Sequence, residues 1–228
     1  MSFLKSNFLL SIIMKKMKLA LFDLDDTLFD GDTEAEWTKF MDTNGFIKDP
    51  SFFIKMEEFT NNYRGGKLDV DEYSEFLLSP LIGKSLKDLK NDIERFTQVT
   101  VDKFTDALSQ ELLDKHKNDL RVLTSGSLSF LVKEIGLKLG INVNFGTDPE
   151  YVDGKFTGKV LGRPNFSEEK VRRVEEWANG QDFEEIYAYS DSIHDLPLLE
   201  FSHVPYAISP DASLREVAVK RKWAIIDR

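Results

Sequence analysis

Near its start the chain runs a short apolar segment, Leu19-Ala20-Leu21-Phe22, straight into Asp23-Leu24-Asp25-Asp26-Thr27-Leu28. Four apolar residues bounded in this way read as a buried β-strand, with the acids standing at its end. Burying unpaired carboxylates costs several kcal/mol or more, so the arrangement calls for a cation or a chemical task. Strand alternation puts Asp23 and Asp25 on the same side, with Leu24 facing the other way. One carboxylate can then serve as nucleophile while the other moves protons, and a divalent cation can hold both. An acidic N-cap and turn would be spelled with the same letters, since Asp-Asp-Thr also suits a helix start.

The remainder of the chain alternates between two kinds of sequence. From residue 33 to about 117 it reads as helix. Trp37, Phe40 and Met41 keep helical spacing, as do Phe53, Met56 and Phe59, then Tyr73, Phe76 and Leu77. Such periodicity is chiefly a burial signal. Asp49-Pro50, Gly65-Gly66, Ser79-Pro80 and Gly83 punctuate the helices. Beyond residue 117, strands are expected at 120–124, 141–145, 185–189, 204–208 and 223–226. Helices are expected at 128–139, at 167–178 with Ser167 as cap, at 195–201, and from near Asp211. Residues 151–160 spell a hairpin turning at Asp153-Gly154. Strands alternating with helices imply an α/β fold with a doubly wound, mostly parallel, Rossmann-like sheet. The helical block interrupts that sheet just after its first strand. This divides the chain into a core of 18–31 and 118–228 and a helical cap of 32–117. An insertion there overlies the strand ends where ligands bind, so it is placed to act as a lid.

With 228 residues the chain can bury a full core, as one domain with an insertion or as two small domains. Against 40 Asp and Glu stand 30 Lys and Arg, a net charge of -10. That balance argues against non-specific binding to nucleic acid or to anionic membranes. The absence of cysteine excludes disulfides, thiolate metal sites and cysteine nucleophiles, and it fits a reducing cytoplasm. The apolar run from Phe8 to Ile13 is far too short to span a bilayer, which takes about 20 residues. It lacks the cleavage site of a secretory signal, and Lys15-Lys16 follows it rather than preceding it. Met14 and Met17 could serve as alternative starts, so 1–17 is expected to be an extension with little structural role. A cytoplasmic location is expected.

Three further fragments belong beside Asp23 if helix and sheet alternate as expected. Thr124-Ser125-Gly126-Ser127 offers hydroxyls and free backbone N–H groups at a strand end, a natural phosphate cradle, although such a run also makes an ordinary turn. Lys170 lies one turn into a helix, where many lysines are merely solvated. Tyr189-Ser190-Asp191-Ser192-Ile193-His194-Asp195 is again acidic at a strand end. Two acidic strand ends side by side make an oxygen-lined pocket suited to a hard cation such as Mg²⁺. His194, one of only three histidines, reads as a substrate contact or a capping residue.

Taken in order, Asp23 to Thr27, the Ser125 turn, Lys170, and Asp191 with Asp195 resemble the motifs of the haloacid dehalogenase-like hydrolases. The subgroup is that similar to phosphoserine phosphatase, with a helical cap inserted after the first motif. The run from Phe22 to Trp37 resembles a bacterial branch that includes members linked to histidinol phosphate hydrolysis. The resemblance implies roles. Asp23 would attack phosphorus and form an aspartyl-phosphate. Asp25 would protonate the leaving alkoxide and then activate water. Mg²⁺ would be held by Asp23, the Asp25 carbonyl and Asp191. Ser125, Gly126 and Lys170 would bind the phosphate oxygens, with Asp195 orienting Lys170 or a metal-bound water and Thr27 in support. Asp32 stands where an acid reads the substrate's amino group, His194 replaces a common asparagine, and Arg64 is available to pair with a substrate anion or to lie exposed. The expectation is a Mg²⁺-dependent phosphomonoesterase acting on a small phosphorylated metabolite, phosphoserine-like or histidinol-phosphate-like. A phosphotransferase or mutase, or a phosphate-binding regulatory protein that has lost turnover, would share the fold.

Overall fold

The computed structural model describes residues 17–228. The apolar run ending at Ile13 and the expected extension, apart from Met17, lie outside the described residues. A six-stranded sheet forms the centre, in the order β3-β2-β1-β6-β7-β8, and every pairing within it is parallel. Its strands are β1 (Lys18–Phe22), β2 (Leu120–Leu128), β3 (Val143–Thr147), β6 (Glu185–Ser190), β7 (Val204–Ile208) and β8 (Ala224–Ile226). A separate antiparallel hairpin joins β4 (Pro149–Val152) to β5 (Lys155–Val160). It turns at Asp153-Gly154 as expected, and both residues adopt the positive φ of a tight hairpin turn.

The residues of β1 explain the layering. Leu19 and Leu21 pack on one face with Val174, Leu198 and Leu214, while Ala20 and Phe22 pack on the other with Leu112, Val132 and Ile135. A central parallel strand is covered on both faces, so its sequence is apolar throughout. The helices supplying these partners are α5 (Ala107–Lys115), α6 (Ser129–Lys138), α7 (Glu168–Ala178), α8 (Leu196–Phe201) and α9 (Ala212–Arg221). Among the described residues no helix is long and apolar enough to cross a membrane.

Between β1 and β2 come α1 (Thr33–Thr43), α2 (Ser51–Arg64), α3 (Val70–Leu78) and α4 (Leu86–Phe104), followed by α5. Trp37, Met41, Leu78, Ile93 and Phe96 make a further core with Phe130 and Phe156, so the helical insertion rests on α6 and on the hairpin. One expected face shifts by a residue. Phe53 is exposed, and Phe52 takes its place, stacked on Phe76 with ring centres 4.3 Å apart. Adjacent phenylalanines leave the helical register open, and the 52/56/59 stripe is the one that closes.

Two strand starts differ from expectation for the same reason. Strands β3 and β8 begin later than 141 and 223 because Ile141 and Trp223 finish the preceding helices. Their N–H groups donate to the carbonyls of Gly136 and Ala218, after Gly140 and Lys222 have turned left-handed. Strand β2 continues past Thr124 to Leu128, with a shift in its register against β3. There β3 comes close: a Cβ on Gly146 would lie 2.6 Å from the Ser127 carbonyl oxygen. Ser167 precedes α7 but does not cap it through its side chain. Its φ of 52° shows that it serves as a sharp turn instead.

Candidate active site

Strand β1 is central: the chain leaves it to build β2 and β3 on one side and later returns to lay β6 along its other edge. This is the switch point at which a crevice opens beyond the strand ends. The Asp23 N–H still donates to the Tyr189 carbonyl, 3.0 Å away, so its position is set by the sheet. The expected strand alternation does not align Asp25 with it. Residues Leu24–Leu28 instead form a wide turn closed by the Phe29 N–H on the Leu24 carbonyl at 2.8 Å, with Asp25 extended and Asp26 at a φ of 52°, and this turn carries Asp25 to the same cavity.

Asp25 is held at both oxygens. Its Oδ1 accepts the Thr33 N–H at 2.6 Å, at the start of α1, and its Oδ2 accepts from the hydroxyls of Ser127 (2.9 Å) and Ser125 (3.2 Å). Burial nevertheless raises its pKa, aided by the charge of Asp32, while the Thr33 and Ser127 hydrogen bonds act the other way. A carboxyl so placed can carry a proton.

On the opposite side of Asp23 the buried Lys170 Nζ donates at 2.7 Å to Asp23 Oδ1 and at 2.7 Å to Asp195 Oδ2. Burial alone would lower the Lys170 pKa, but the two carboxylates more than offset it and keep the ammonium charged. Asp195 also accepts from the Ser190 hydroxyl at 2.8 Å. Asp191 accepts from the Thr27 hydroxyl at 3.0 Å, and that hydroxyl in turn accepts the Asp191 N–H at 2.9 Å. Thr27 therefore stands behind the cavity and fixes the end of β6 to the turn after β1. Burial pushes Asp23 up to about 7, with Lys170 opposing and the charges of Asp195 and Asp25 assisting, and it pushes Asp191 up to about 8, assisted by the charge of Asp23.

The turn bearing Ser125 and Gly126 is fastened from below. The fully buried Asn165 donates from Nδ2 to the Ser125 carbonyl (2.9 Å), the Thr124 hydroxyl (3.0 Å) and the Phe145 carbonyl (3.3 Å). Thr147 donates its hydroxyl to the Gly126 carbonyl.

These groups line a cavity of about 230 Å³ that continues between the strand ends and the helical insertion. Asp23, Asp25, Asp32, Ser125, Gly126, Lys170, Asp191, His194 and Asp195 all face it, so most of the sequence-derived candidates meet at one place. Asp32 caps α1, accepting the Ala35 N–H at 2.9 Å. Capping of the turn at Ile193–Asp195 falls to Ser192, and the His194 ring lies between Tyr63 and Phe166, with centres 5.0 and 4.9 Å away. The Tyr63 and Ser192 hydroxyls are 3.1 Å apart and join the insertion to the core. The Arg64 side chain lies outside what the structure describes. Sequence reasoning did not single out Asn165 or Glu34, took Ser127 only as part of the turn, and read Tyr73 as part of a buried helical stripe. Glu34 had a readable signal, because it shares a helical stripe with the buried Trp37, Thr38 and Met41.

The model of the haloacid dehalogenase-like hydrolase family matches residues 20–200. The chain belongs to the haloacid dehalogenase-like hydrolases. A histidinol-phosphatase of Neisseria meningitidis serogroup C (strain 8013) is 30% identical over 217 residues, covering 92% of this chain and 98% of that one. A protein of unknown function from Bordetella pertussis Tohama I has a similar structure, with a TM-score of 0.85, 35% identity, and coverage of 93% and 99%. A phosphoserine phosphatase solved as a phospho-aspartyl intermediate analogue shares the fold, with a TM-score of 0.64, 23% identity, and coverage of 93% and 94%. This hydrolase is a phosphatase of that family.

Phosphatases of this family generally use Mg²⁺, and the donor set here suits it. Asp23, buried at the end of β1, and the half-buried Asp191, just past the end of neighbouring β6, stand close enough for the Asp23 charge to raise the Asp191 pKa. Among the described residues no three acids or imidazoles form a metal cage. Mg²⁺ does not require one, since it keeps several waters and takes one or two carboxylates with substrate phosphate.

Proposed function

We propose that the chain is a Mg²⁺-dependent phosphomonoesterase that works through an aspartyl-phosphate on Asp23 and acts on a small phosphorylated metabolite. The observation that carries this reading is the buried Asp23–Lys170–Asp195 array facing a second, separately held carboxyl at Asp25. A site that only bound phosphate would have no use for Asp25. In the first step Asp23 Oδ bonds to phosphorus as the ester P–O bond breaks, and Asp25 gives its proton to the departing alkoxide. In the second step Asp25 takes a proton from water, whose oxygen attacks phosphorus. The Asp23–phosphorus linkage breaks, releasing inorganic phosphate and the free carboxylate. Lys170, the Ser125 hydroxyl and the Gly126 N–H stabilise charge on the equatorial oxygens. Mg²⁺ held by Asp23, Asp191 and the Asp25 carbonyl would supply charge neutralisation between carboxylate and phosphate.

The insertion, taken as a cap of residues 32–117, leaves room for a small substrate and excludes bulk water. Histidinol phosphate is the first candidate, because the Neisseria relative of that name matches along nearly the whole of both chains. Phosphoserine is the second. The absence of cysteine suits work in the cytoplasm. The test is phosphate release across histidinol phosphate, phosphoserine, sugar phosphates, nucleotides and p-nitrophenyl phosphate, with Mg²⁺ and after chelation. Asp23→Asn should lose turnover while keeping the fold. Substantial Mg²⁺-dependent activity left in that variant would remove Asp23 as nucleophile.

A further inference from the structure

Glu34 is a carboxylate that the proposed chemistry does not use. It lies in the first turn of α1, on the same stripe as the buried Trp37 and Met41, yet it faces the cavity rather than the apolar core. Its Oε2 accepts the Tyr73 hydroxyl of α3 at 2.8 Å, the only hydrogen bond to its carboxylate among the described residues. Tyr73 also lines the cavity, and its ring is braced edge-on by Phe59, 5.3 Å away. The pair therefore forms a rigid acceptor on the wall contributed by the insertion.

The neighbours of Glu34 indicate what it accepts. Thr33, the residue before it, binds Asp25, the group that would hand a proton to the leaving oxygen. The organic part of a substrate departs from Asp25, so it passes along the first turn of α1 and meets Glu34. Among the described side chains lining the cavity, Lys170 is the one ammonium or guanidinium, and Asp23 and Asp195 already occupy it. Desolvation, together with the charge of nearby Asp32, pushes the Glu34 carboxyl up to about 8, as expected for a half-buried acid with no cation beside it among the described residues.

We infer that Glu34, oriented by Tyr73, is the specificity-determining group that binds a protonated nitrogen on the alcohol portion of the substrate. The substrate class is then the phosphate monoester of a small amino alcohol. This deepens the phosphatase reading and rests on it. It also moves the amine-reading role from Asp32, one of whose oxygens is committed to capping α1, to Glu34.

An alternative is that the Glu34–Tyr73 pair only fastens α3 to α1. The two readings separate in a selectivity ratio: kcat/KM for histidinol phosphate and for O-phosphoethanolamine, each divided by kcat/KM for amine-free p-nitrophenyl phosphate. A charge-assisted hydrogen bond corresponds to about 10- to 100-fold in binding. Glu34→Gln, which keeps shape and loses charge, should lower both ratios by about that factor, mainly through KM. Tyr73→Phe should lower them several-fold, and Asp32→Asn by less than Glu34→Gln. A fastening role would reduce thermal stability and all three substrates together, leaving the ratios unchanged, and that result overturns the inference. So does a ratio that collapses in Asp32→Asn but not in Glu34→Gln. Lack of turnover of all three esters by the unmodified enzyme with Mg²⁺ would overturn the phosphatase reading, and this inference with it.

Discussion

Asn165→Leu tests whether the phosphate-facing turn is built by a residue that never touches the cavity. The asparagine is fully buried, and its Nδ2 has two hydrogens for three acceptors. Its orientation follows from those neighbours, since a reversed amide would set an oxygen against two carbonyls. Leucine fills a similar volume but donates nothing. The two shorter hydrogen bonds are each worth about 1 kcal/mol net, and the Ser125 carbonyl left buried adds a further penalty, so about 2–3 kcal/mol should be lost. Urea unfolding reads this as a lower midpoint at constant slope. Activity should fall as well, because Ser125 and Gly126 ride on the released carbonyl, and a displacement of about 1 Å at a reacting group can cost on the order of 100-fold. Asn165→Asp should be worse than leucine at neutral pH, where a charged oxygen faces carbonyls. Acid should partly relieve it, since protonation restores one donor. Stability within about 0.5 kcal/mol of the unmodified protein, ordinary for a neutral surface change, together with unchanged turnover in Asn165→Leu, would refute this account of the turn.

Beryllium trifluoride with Mg²⁺ should inhibit phosphate release by occupying Asp23 as a mimic of its phosphorylated form, and Asp23→Asn should not take it up; insensitivity of the unmodified enzyme would count against the covalent route. A pH effect is expected at His116, which is buried and hydrogen-bonded at 2.8 Å to Asp119 and at 2.7 Å to the Tyr189 hydroxyl. Burial lowers its pKa from 6.5, Asp119 opposes that shift, and Lys115 and Lys18 assist it. The unfolded chain therefore binds the proton first, so stability is intact above about pH 6.5 and declines as pH falls below it. Urea midpoints between pH 8 and 5.5 should fall less steeply in His116→Gln, and parallel curves would exclude His116 as a cause.

What the sequence disclosed follows from how each residue is held. Asp23, Asp191 and Asp195 announced themselves because an acid at the end of an apolar strand has few explanations. Lys170 became legible only as one of an ordered set, since a lone lysine in a helix says nothing. Asn165 was out of reach: it stands in an irregular loop between β5 and α7, some 40 positions from the carbonyl it supports, and no periodicity marks it. Ser127 was hidden in a run that reads equally well as a turn. Its role depends on β2 continuing past Thr124, which close packing against Gly146 of β3 brings about. Glu34 was hidden for another reason. With Glu36 it resembles the acidic first turn that favours any helix N-terminus, and only its place on the buried stripe sets it apart.

Charge links the metal, the substrate and the insertion. A phosphate dianion must enter a cavity lined by seven Asp and Glu carboxyls, with one ammonium among the described side chains, and that ammonium is shared between two of the acids. Left alone, such a site reduces its own repulsion by holding protons, which is the direction taken by Asp23, Asp191 and Glu34. A divalent cation at Asp23 and Asp191 would remove the need for protons at the reacting end and free Asp23 to attack. It would do little at the far wall, where Glu34 and Asp32 remain. A substrate that brings its own positive charge to that wall completes the compensation, whereas one bearing a further carboxylate or a second phosphate adds to the repulsion. The wall comes from the insertion and the reacting end from the sheet. Binding of a cationic phosphate ester therefore favours the closed arrangement, already joined by Tyr63 and Ser192, in the same step that assembles the site.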